Sequence, residues 1–400
     1  MDEIQTLLNR GVDKIYPSKE ELEKLLRSGK KLTIYQGFDP TGDKLHIGHM
    51  VGLMKLADWQ KLGHHVIFLI GDFTGMIGDP SGKSSTRKML SHEEVIRNAK
   101  SYKDQAGKIL NFEGENAAEV KYNGDWLQKM SAIEFLRIAG LLSYQQVVER
   151  DLFQERAKNG QDLFMNEFLY PVMQAYDSVA MNVDVEVGGT DQMFNMLMGR
   201  KLMRHMLQKD KFVMTTPILT DSSGNKIGKT EGNAIALDDH PDDLYSKIMA
   251  LPDDIIVKGF EYLTRIPYQT IDLIKNSLQG GDNPINHKKN LAHEIVRQLS
   301  SQEKADTAQQ KFESVIQNKQ TPTEIEEIPL TISVSEKISV ADALVALDLV
   351  ESKSEAKRLI TQGGVTIYNE VISDPNKLFE GKDQGIIKIG KRKIVKLLKP

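Results

Sequence analysis

The stretch between residues 33 and 71 has, in turn, the apolar periodicities of a strand, a helix and a second strand. A short buried strand is predicted to end near Tyr35, and a turn rich in glycine and proline follows at residues 37–42. Apolar residues then return at helical spacing from about His46 to Gly63. The continuous apolar run at 65–71 is too short for a helix and predicts a fully buried parallel strand. This order predicts a right-handed βαβ unit in a doubly wound sheet.

The start of the predicted helix carries two histidines, His46 and His49. A helix start presents unpaired N–H groups and a partial positive charge, and this arrangement favours phosphate binding. Two other interpretations of the pair remain open on the residues alone. The histidines could be metal ligands, although no third ligand with suitable spacing is evident, or ordinary polar residues at a helix start.

The loop at 71–87 follows the second predicted strand and is rich in glycine. It is not a Walker A loop, because Ile77 stands where that motif requires glycine. Lys83 and Arg87 could reach phosphate from this loop, or they could simply form a solvated basic surface. A second polar loop, at 219–230, carries two further lysines that flank a glycine, Lys226 and Lys229.

Polar residues also recur on one face of a predicted helix, where Tyr170, Gln174 and Asp177 have i, i+4, i+7 spacing. Their neighbours are apolar, so the face is expected to be at least partly buried, although a half-exposed amphipathic face is an alternative. Asp191 follows a Gly-Gly turn after the alternating strand predicted at 183–187. An aspartate in that place could equally be a helix N-cap.

Composition limits the classes of protein that fit. The chain has 400 residues, 40% hydrophobic and 27% charged, which is typical of a globular protein with two or three domains. No apolar run approaches the length that spans a membrane. With no cysteine, disulfides and thiolate zinc sites are excluded, and a cytoplasmic location is expected. The net charge of −4 argues against indiscriminate nucleic-acid binding, so any RNA contact requires a local basic surface.

Beyond the alternating α/β pattern the chain changes character. Residues 1–30 are expected to form an amphipathic helical lead-in, and the pattern at 239–319 is helical and charged. The acidic, Pro-bearing stretch 320–336 is typical of a linker. In the following segment, 337–400, a predicted helix carries a local basic surface, formed by Lys353, Lys357 and Arg358.

Several motifs together resemble one family. The string YQGFDPTGDKLHIGH at 35–49 resembles the signature of class I aminoacyl-tRNA synthetases in its tyrosyl version. TGMIGDPSGK at 74–83, the Tyr-x3-Gln-x2-Asp helix and GGTDQ at 188–192 are similar to the same enzymes. KIGKT at 226–230 resembles their KMSKS loop, with glycine in place of a consensus serine, and the C-terminal segment resembles the S4 RNA-binding module.

The resemblance implies an α/β fold: a Rossmann-like doubly wound parallel sheet, followed by a helical domain and a small α+β S4-like domain. The implied catalytic domain spans 1–238, with a connecting helical segment near 126–165 that forms the subunit interface of a homodimer. The implied tRNA-binding helical domain spans 239–319, and the linker at 320–336 leads to the S4-like domain at 337–400.

The resemblance also implies a reaction. L-tyrosine and ATP give tyrosyl-adenylate and pyrophosphate, and the tyrosyl group moves to the 3′ end of tRNA(Tyr). Mg²⁺ is expected to accompany ATP, with no dedicated protein metal site and no membrane partner. The implied catalytic residues are His46, His49, Thr41, Lys226, Lys229, Lys83 and Arg87. The implied tyrosine-binding residues are Tyr35, Asp79, Tyr170, Gln174, Asp177 and Gln192, and the implied ATP-binding residues are Asp39, Gly48, Asp191 and Lys229.

Two rival interpretations remain. A tryptophanyl-tRNA synthetase shares the fold and a similar signature, although the Tyr35–Asp177 pairing and the S4-like tail favour tyrosine. An RNA-binding protein that has lost catalysis is the other rival, and the presence of both histidines and both loop lysines argues against it.

Overall fold

A computed structural model of the chain describes residues 2–79, 89–143, 145, 151–227, 234–317, 326–329, 338–368, 370–379, 385–390 and 393–398. The chain divides into two compact units, Met1–Asp306 and Thr307–Pro400. The domain borders predicted at 238 and 319 stay predictions. In the described residues, no helix has both the length and the apolar character needed to cross a bilayer.

The first unit is built on a six-stranded sheet in the order β1-β6-β5-β2-β3-β4. All neighbouring strands of this sheet run parallel except β1, which is antiparallel to β6. The predicted α/β fold with a doubly wound parallel sheet is therefore confirmed. The strands are β1 Lys14–Tyr16, β2 Thr33–Phe38, β3 His65–Ile70, β4 Glu119–Tyr122, β5 Val185–Gly189 and β6 Phe212–Thr216.

The strand order places the binding crevice. The chain runs outward from β2 to β3 and β4, and then returns to add β5 and β6 on the other side of β2. In doubly wound sheets, ligands bind outside the carboxyl ends of the strands at such a reversal. The crevice is therefore expected beyond Phe38 at the end of β2 and Gly189 at the end of β5.

Helices cover the sheet and continue beyond it. The helices before β5 are α1 Glu3–Asn9, α2 Lys19–Arg27, α3 Ile47–Lys61, α4 Thr74–Ile77, α5 His92–Ala99, α6 Tyr102–Ala106, α7 Gly124–Leu127, α8 Ala132–Ala139, α9 Asp151–Lys158 and α10 Met165–Met181. After β5 come a 3₁₀ turn at Thr190–Gln192, α11 Met193–Leu207, α12 Pro241–Met249, α13 Ile255–Leu263, α14 Tyr268–Gln279, α15 Pro284–Leu299, α16 Gln302–Lys311 and a π-helical turn at Phe312–Gln317.

The prediction of a helical lead-in at residues 1–30 is wrong at β1. Helices α1 and α2 are present, but the three residues of β1 between them pair with β6, with Ile15 opposite Met214. The partner strand lies about two hundred residues further along the chain, so the local pattern of apolar residues does not reveal the pairing.

The helix that follows β2 is buried on more than one side, which explains its nearly continuous apolar sequence. Helix α3 packs against β2 and β3 and also against α13 of the helical region. Beyond α13, Arg265 donates a hydrogen bond to the carbonyl of Met54 on α3 at 3.0 Å. In the same region, the side chain of Arg10 donates to the carbonyl of Phe260 at 3.1 Å. The helical region predicted from residue 239 onward is thus packed on the helix that carries the two histidines.

The second unit contains a five-stranded sheet in the order β7-β11-β10-β8-β9, covered by two helices. Its buried core includes Leu344, Ile360 and Ile387. The basic side chains of Lys353, Lys357 and Arg358 are exposed on one of these helices. The elements are β7 Glu326–Pro329, α17 Val340–Ala346, α18 Lys353–Thr361, β8 Val365–Ile367, β9 Glu370–Ile372, β10 Ile386–Ile389 and β11 Lys393–Leu398.

The segment predicted as a linker, 320–336, differs from expectation where it contains β7. This strand pairs in parallel with β11, with Ile328 opposite Leu397. The partner lies at the far end of the chain, so the pairing is again a long-range feature that a Pro-bearing local sequence does not indicate.

Candidate active site

The two histidines at the start of α3 cap its first turn with their own side chains. The backbone N–H of Gly48 donates to Nδ1 of His46 at 3.1 Å, and the backbone N–H of His46 donates to Nδ1 of His49 at 3.1 Å. The two rings stack with their centroids 3.8 Å apart. Because each Nδ1 accepts an N–H, each neutral ring carries its proton on Nε2. The pair therefore caps the helix and also supplies two ring N–H donors at its positive end.

The close packing of these rings requires glycine at position 48. A Cβ atom there would lie 2.9 Å from Cε1 of His46. Thr41 lies in the loop before the helix, where its backbone N–H donates to the carbonyl of Asp39 at 2.7 Å and forms a tight turn. Within the described residues, no group of three or more His, Cys, Asp or Glu side chains could hold a metal ion.

Asp39 joins this loop to the helix that carries the tyrosine motif. Its Oδ2 accepts a hydrogen bond from the hydroxyl of Tyr170 at 2.8 Å, and its Oδ1 accepts one from Thr74 at 2.7 Å. Burial, followed by the charge of Asp39, raises the pKa of Tyr170 well above its usual range. Tyr170 is therefore a neutral hydrogen-bond donor in this structure.

Asp177 and Tyr35 form a buried polar end of the crevice. Asp177 is 2% exposed and accepts hydrogen bonds from Nε1 of Trp126 at 2.8 Å and Nδ2 of Asn123 at 3.2 Å. Burial raises the pKa of Asp177, and these two hydrogen bonds act in the opposite direction. The hydroxyl of Tyr35, on β2, lies 2.8 Å from Oγ of Ser178.

Two amide side chains, Gln174 and Gln192, line the neighbouring part of the crevice, and the fully buried Asn195 joins them. Nδ2 of Asn195 donates to Oε1 of Gln174 at 2.8 Å and to Oε1 of Gln192 at 3.2 Å. Nε2 of Gln192 in turn donates to Oδ2 of Asp79 at 2.5 Å. Gln174 and Asp79, predicted for the ammonium group of an amino acid, are thus connected by hydrogen bonds to Gln192, predicted for its carboxylate.

The loop after β6 brings one predicted lysine to the crevice. Asp221 accepts hydrogen bonds from the backbone N–H groups of Ser223 and Asn225 at 2.9 and 2.8 Å, which folds the loop back on itself. Nζ of Lys226 then reaches Oδ2 of Asp191 at 2.8 Å. Helix α11 has no side-chain cap at its start, so Asp191 is not the N-cap of that helix. Asp191 contacts Lys226 instead.

One cavity at the reversal of the sheet collects the predicted residues that the structure describes. Three predicted cations, Lys83, Arg87 and Lys229, lie outside the described residues. The predicted residues that line the cavity are Tyr35, Asp39, Thr41, His46, Gly48, His49, Asp79, Tyr170, Gln174, Asp177, Asp191, Gln192 and Lys226.

The sequence interpretation missed several polar residues of the same cavity. Asn123, Thr74 and Glu186 line it, and Trp126 contacts Asp177 from behind. Glu186 had a visible signal, because an acidic residue stands between two buried valines in a central strand. Asn123 and Trp126 had none, since the residues they contact are about fifty positions away along the chain.

The family of the chain follows from comparison with known proteins. The model of the family described as "tRNA synthetases class I (W and Y)" matches residues 27–317, and the model described as "S4 domain" matches residues 340–384. The chain therefore belongs to the class I tRNA synthetases of the tryptophan and tyrosine group and carries an S4 domain.

Full-length relatives narrow the family to the tyrosine–tRNA ligases. The chain is 42% identical over 393 residues to the tyrosine–tRNA ligase of Thermotoga maritima, covering 98% of this chain and 96% of that protein. It is 40% identical over 400 residues to the tyrosine–tRNA ligase of Carboxydothermus hydrogenoformans, covering 98% and 97% of the two chains.

Solved structures agree with the fold. A C-terminally truncated mitochondrial tyrosyl-tRNA synthetase from Aspergillus nidulans matches with a TM-score of 0.66 at 26% identity, over 78% of this chain and 94% of that one. The tyrosyl-tRNA synthetase of Archaeoglobus fulgidus, solved with L-tyrosine, matches with a TM-score of 0.60 at 22% identity, over 77% and 99% of the two chains. At that identity, the second match supports the fold alone.

Proposed function

We propose that the chain is a tyrosine–tRNA ligase, which activates L-tyrosine with ATP and transfers the tyrosyl group to the 3′ end of tRNA(Tyr), with release of AMP. One observation supports this most strongly. A single cavity has the histidine-capped start of α3 and Lys226 among its lining residues, together with the buried pair Asp177 and Tyr35. Such a cavity is suited to a triphosphate and a phenol bound side by side.

Adenylate formation requires no general base, because the carboxylate of tyrosine is already ionised at pH 7. The difficulty is to bring two anions together and to stabilise the charge that develops on the α-phosphate and the pyrophosphate. The Nε2–H groups of His46 and His49 provide preorganised donors for this charge. We propose that Thr41 and Lys226 join them in contacting the phosphates.

Three further cations complete the proposed phosphate site. Lys83, Arg87 and Lys229 are assigned to the departing pyrophosphate and the β- and γ-phosphates by their motifs. Asp191, which contacts Lys226, is assigned to the ribose, while Asp39 and Gly48 border the nucleotide. Mg²⁺ is expected to bind phosphate oxygens of ATP, because this hard cation prefers substrate phosphates to an all-protein cage.

The other end of the cavity is assigned to tyrosine. The phenol hydroxyl meets Asp177 and Tyr35, and a bound phenylalanine would leave both buried groups without the hydrogen bond that they make to the substrate. The ammonium group is held by Asp79, Tyr170 and Gln174, whose carboxylate, hydroxyl and amide oxygens are suitable acceptors. Gln192, the remaining member of the proposed set, lies next to Asp79 and is assigned to the carboxylate.

The partners of the chain are proposed from its surface. Exposed apolar side chains on α8 and at the start of α10 include Ile133 at 58%, Leu136 at 64% and Met165 at 71% exposure. Ile133 and Leu136 are three positions apart on one helix and so share a face, and exposed apolar residues that share a face are typical of interaction surfaces. This face supports a homodimer formed through the connecting segment near 126–165. The S4 domain and the helical region from 239 to 319 are proposed to bind tRNA(Tyr). The cytoplasm, where tRNA and ATP are available, is the proposed location.

ATP–pyrophosphate exchange with each of the twenty amino acids tests the proposed function. Exchange that depends on tyrosine, and that tryptophan does not inhibit by competition, is expected. Exchange that tryptophan supports would identify a tryptophanyl enzyme instead. Binding of tRNA without any amino-acid-dependent exchange would indicate a protein that has lost catalysis.

A further inference from the structure

Four polar side chains form a buried cluster at the phenol end of the cavity, where Tyr35 and Glu186 line it and Ser178 and Lys211 do not. Tyr35 and Lys211 are each 1% exposed, Ser178 is fully buried and Glu186 is 3% exposed. A buried ion pair such as that of Lys211 and Glu186 carries a large desolvation cost, and apolar residues of similar volume are often more stabilising. The pair therefore calls for an explanation other than fold stability.

The first link of this cluster leads to the phenol end. Nζ of Lys211 forms an ion pair with Oε2 of Glu186 and donates to Oγ of Ser178 at 2.5 Å. The same Oγ lies 2.8 Å from the hydroxyl of Tyr35. Because an ammonium group can only donate, Lys211 fixes part of the hydrogen bonding of Ser178, and Ser178 in turn holds the Tyr35 hydroxyl.

The second link leads to the ammonium end. The carboxylate of Glu186 divides its two oxygens between the two directions. Oε2 contacts Lys211 and lies 3.3 Å from Oγ of Ser178, whereas Oε1 accepts a hydrogen bond from Nε2 of Gln174 at 3.4 Å. The cluster thus connects Tyr35 and Gln174, which lie at opposite ends of the proposed tyrosine site.

The cluster also connects residues from three separate parts of the chain. Ser178 belongs to α10, Glu186 to β5, and Lys211 immediately precedes β6. Lys211 does not line the cavity, and its hydrogen bonds toward the site go to Ser178 and Glu186. Its Nζ also lies 5.7 Å from the centre of the Tyr35 ring. A displacement at any of the three positions would move both ends of the amino-acid site at once, since the protein interior is closely packed.

We propose that Lys211 and Glu186 are positioning residues for amino-acid specificity. Lys211 acts through Ser178 on the hydroxyl of Tyr35, and Glu186 acts directly on the amide of Gln174. This inference rests on the proposed function, because it assigns a role in choosing tyrosine over phenylalanine. The ion pair supplies two fixed partners that a purely apolar core could not offer.

Ser178→Ala is the first test variant, because it removes the hydroxyl between Lys211 and Tyr35 and leaves the ion pair in place. We expect the ratio of kcat/KM for tyrosine over phenylalanine, measured by pyrophosphate exchange, to fall about tenfold, as for the loss of one buried hydrogen bond. The KM for ATP and the kcat at saturating tyrosine are expected to stay at the wild-type values.

The double variant Lys211→Met/Glu186→Gln is the second test. It removes both charges with little change in volume, whereas Lys211→Met alone would leave a buried carboxylate without its ion pair and could prevent folding. The double variant is expected to lose the preference for tyrosine at least as strongly as Ser178→Ala. If it does not fold, Ser178→Ala decides the question alone.

A buried lysine outside the cavity provides the matched control. Nζ of Lys55 donates to the carbonyl of Leu7 at 2.8 Å and lies 3.2 Å from Oδ2 of Asp58, and none of these residues lines the cavity. Lys55→Met is expected to lower the Tm and to leave the ratio of kcat/KM for tyrosine over phenylalanine unchanged. This separates general destabilisation from positioning.

The outcomes distinguish this inference from the proposed function. A fall in the ratio for the test variants, with no fall for Lys55→Met, supports the positioning role. An unchanged ratio in a wild-type-like, tyrosine-dependent exchange reaction overturns the inference and leaves the proposed function intact, as does an equal loss for both amino acids. A wild-type chain without tyrosine-dependent exchange overturns both.

Discussion

Replacing Asp177 by asparagine tests the phenol end of the cavity with a minimal change of shape. The carboxylate accepts hydrogen bonds from Trp126 at 2.8 Å and from Asn123 at 3.2 Å. An asparagine amide has a single acceptor oxygen, and its NH₂ group cannot accept. We expect the oxygen to turn to Trp126, the shorter bond, so that two NH₂ groups face each other at Asn123.

The size of the effect follows from these contacts. Asn123 cannot readily turn to relieve the clash, because its Oδ1 accepts the backbone N–H of Phe73 at 3.0 Å and its Nδ2 donates to Thr74 at 2.9 Å. A buried polar group left without its partner costs about 1–3 kcal/mol. The contact with Asn123 is strained with and without substrate, whereas bound tyrosine also loses the carboxylate as the acceptor of its phenol O–H. If that loss costs about 1–3 kcal/mol, the dissociation constant for tyrosine rises roughly 5- to 150-fold.

Equilibrium binding of tyrosine and of ATP, followed separately, is the appropriate assay for Asp177→Asn. Tyrosine affinity is expected to fall within that range and ATP affinity to stay near the wild-type value. Asp184→Asn is the matched control, because Asp184 does not line the cavity. In the wild type its carboxylate accepts the backbone N–H of Thr33 at 2.9 Å, and the amide oxygen of asparagine can accept the same N–H. Equal losses of affinity for tyrosine and ATP in Asp177→Asn would refute the assignment.

Four further changes test other parts of the molecule. Lys226→Ala and Lys229→Ala should each lower the rate of adenylate formation in single-turnover kinetics, while tyrosine affinity stays nearly normal; a large loss of tyrosine affinity would contradict their assignment to phosphate. Gly48→Ala places a Cβ atom 2.9 Å from the ring of His46, so this ring must move and adenylate formation should fall, whereas tyrosine affinity, which depends on the other end of the cavity, should stay near the wild-type value. Burial lowers the pKa of His64 from 6.5 to about 4, so the stability that the neutral ring contributes is full above its unfolded pKa and is lost as the pH falls towards 4. Between pH 7 and 5, the free energy of unfolding measured with denaturant should therefore fall by about 1–2 kcal/mol more in the wild type than in His64→Asn. Equal decreases in the two proteins would show that this ring does not resist protonation.

The local pattern of the sequence was sufficient to predict those helices and strands that are defined by their own residues. The helix from about His46 and the strand predicted at 65–71 are present, the strand as His65–Ile70, because their apolar periodicity is a local property. The first strand is also present, but its predicted end near Tyr35 is wrong: it continues to Phe38 and includes Gly37, which was predicted to lie in the turn. The shared face of Tyr170, Gln174 and Asp177 likewise follows from helix geometry.

Contacts between residues that are distant in the sequence could not be predicted. The strand at Lys14–Tyr16 and the strand at Glu326–Pro329 are each too short for a periodicity and take their hydrogen bonds from distant parts of the chain. The ion pair of Glu186 and Lys211 joins residues from different elements in the interior. A single sequence carries no local signal for such contacts.

The orientation of tyrosyl-adenylate in the cavity is the most direct test of the central claim. A crystal structure with a sulfamoyl analogue of tyrosyl-adenylate should place the phenol oxygen within about 3 Å of Asp177 and of the Tyr35 hydroxyl. The sulfamoyl group, which replaces the phosphate, should then lie near the first turn of α3, next to His46 and His49. An analogue bound with its adenosine against Asp177, or bound outside this cavity, would contradict the claim.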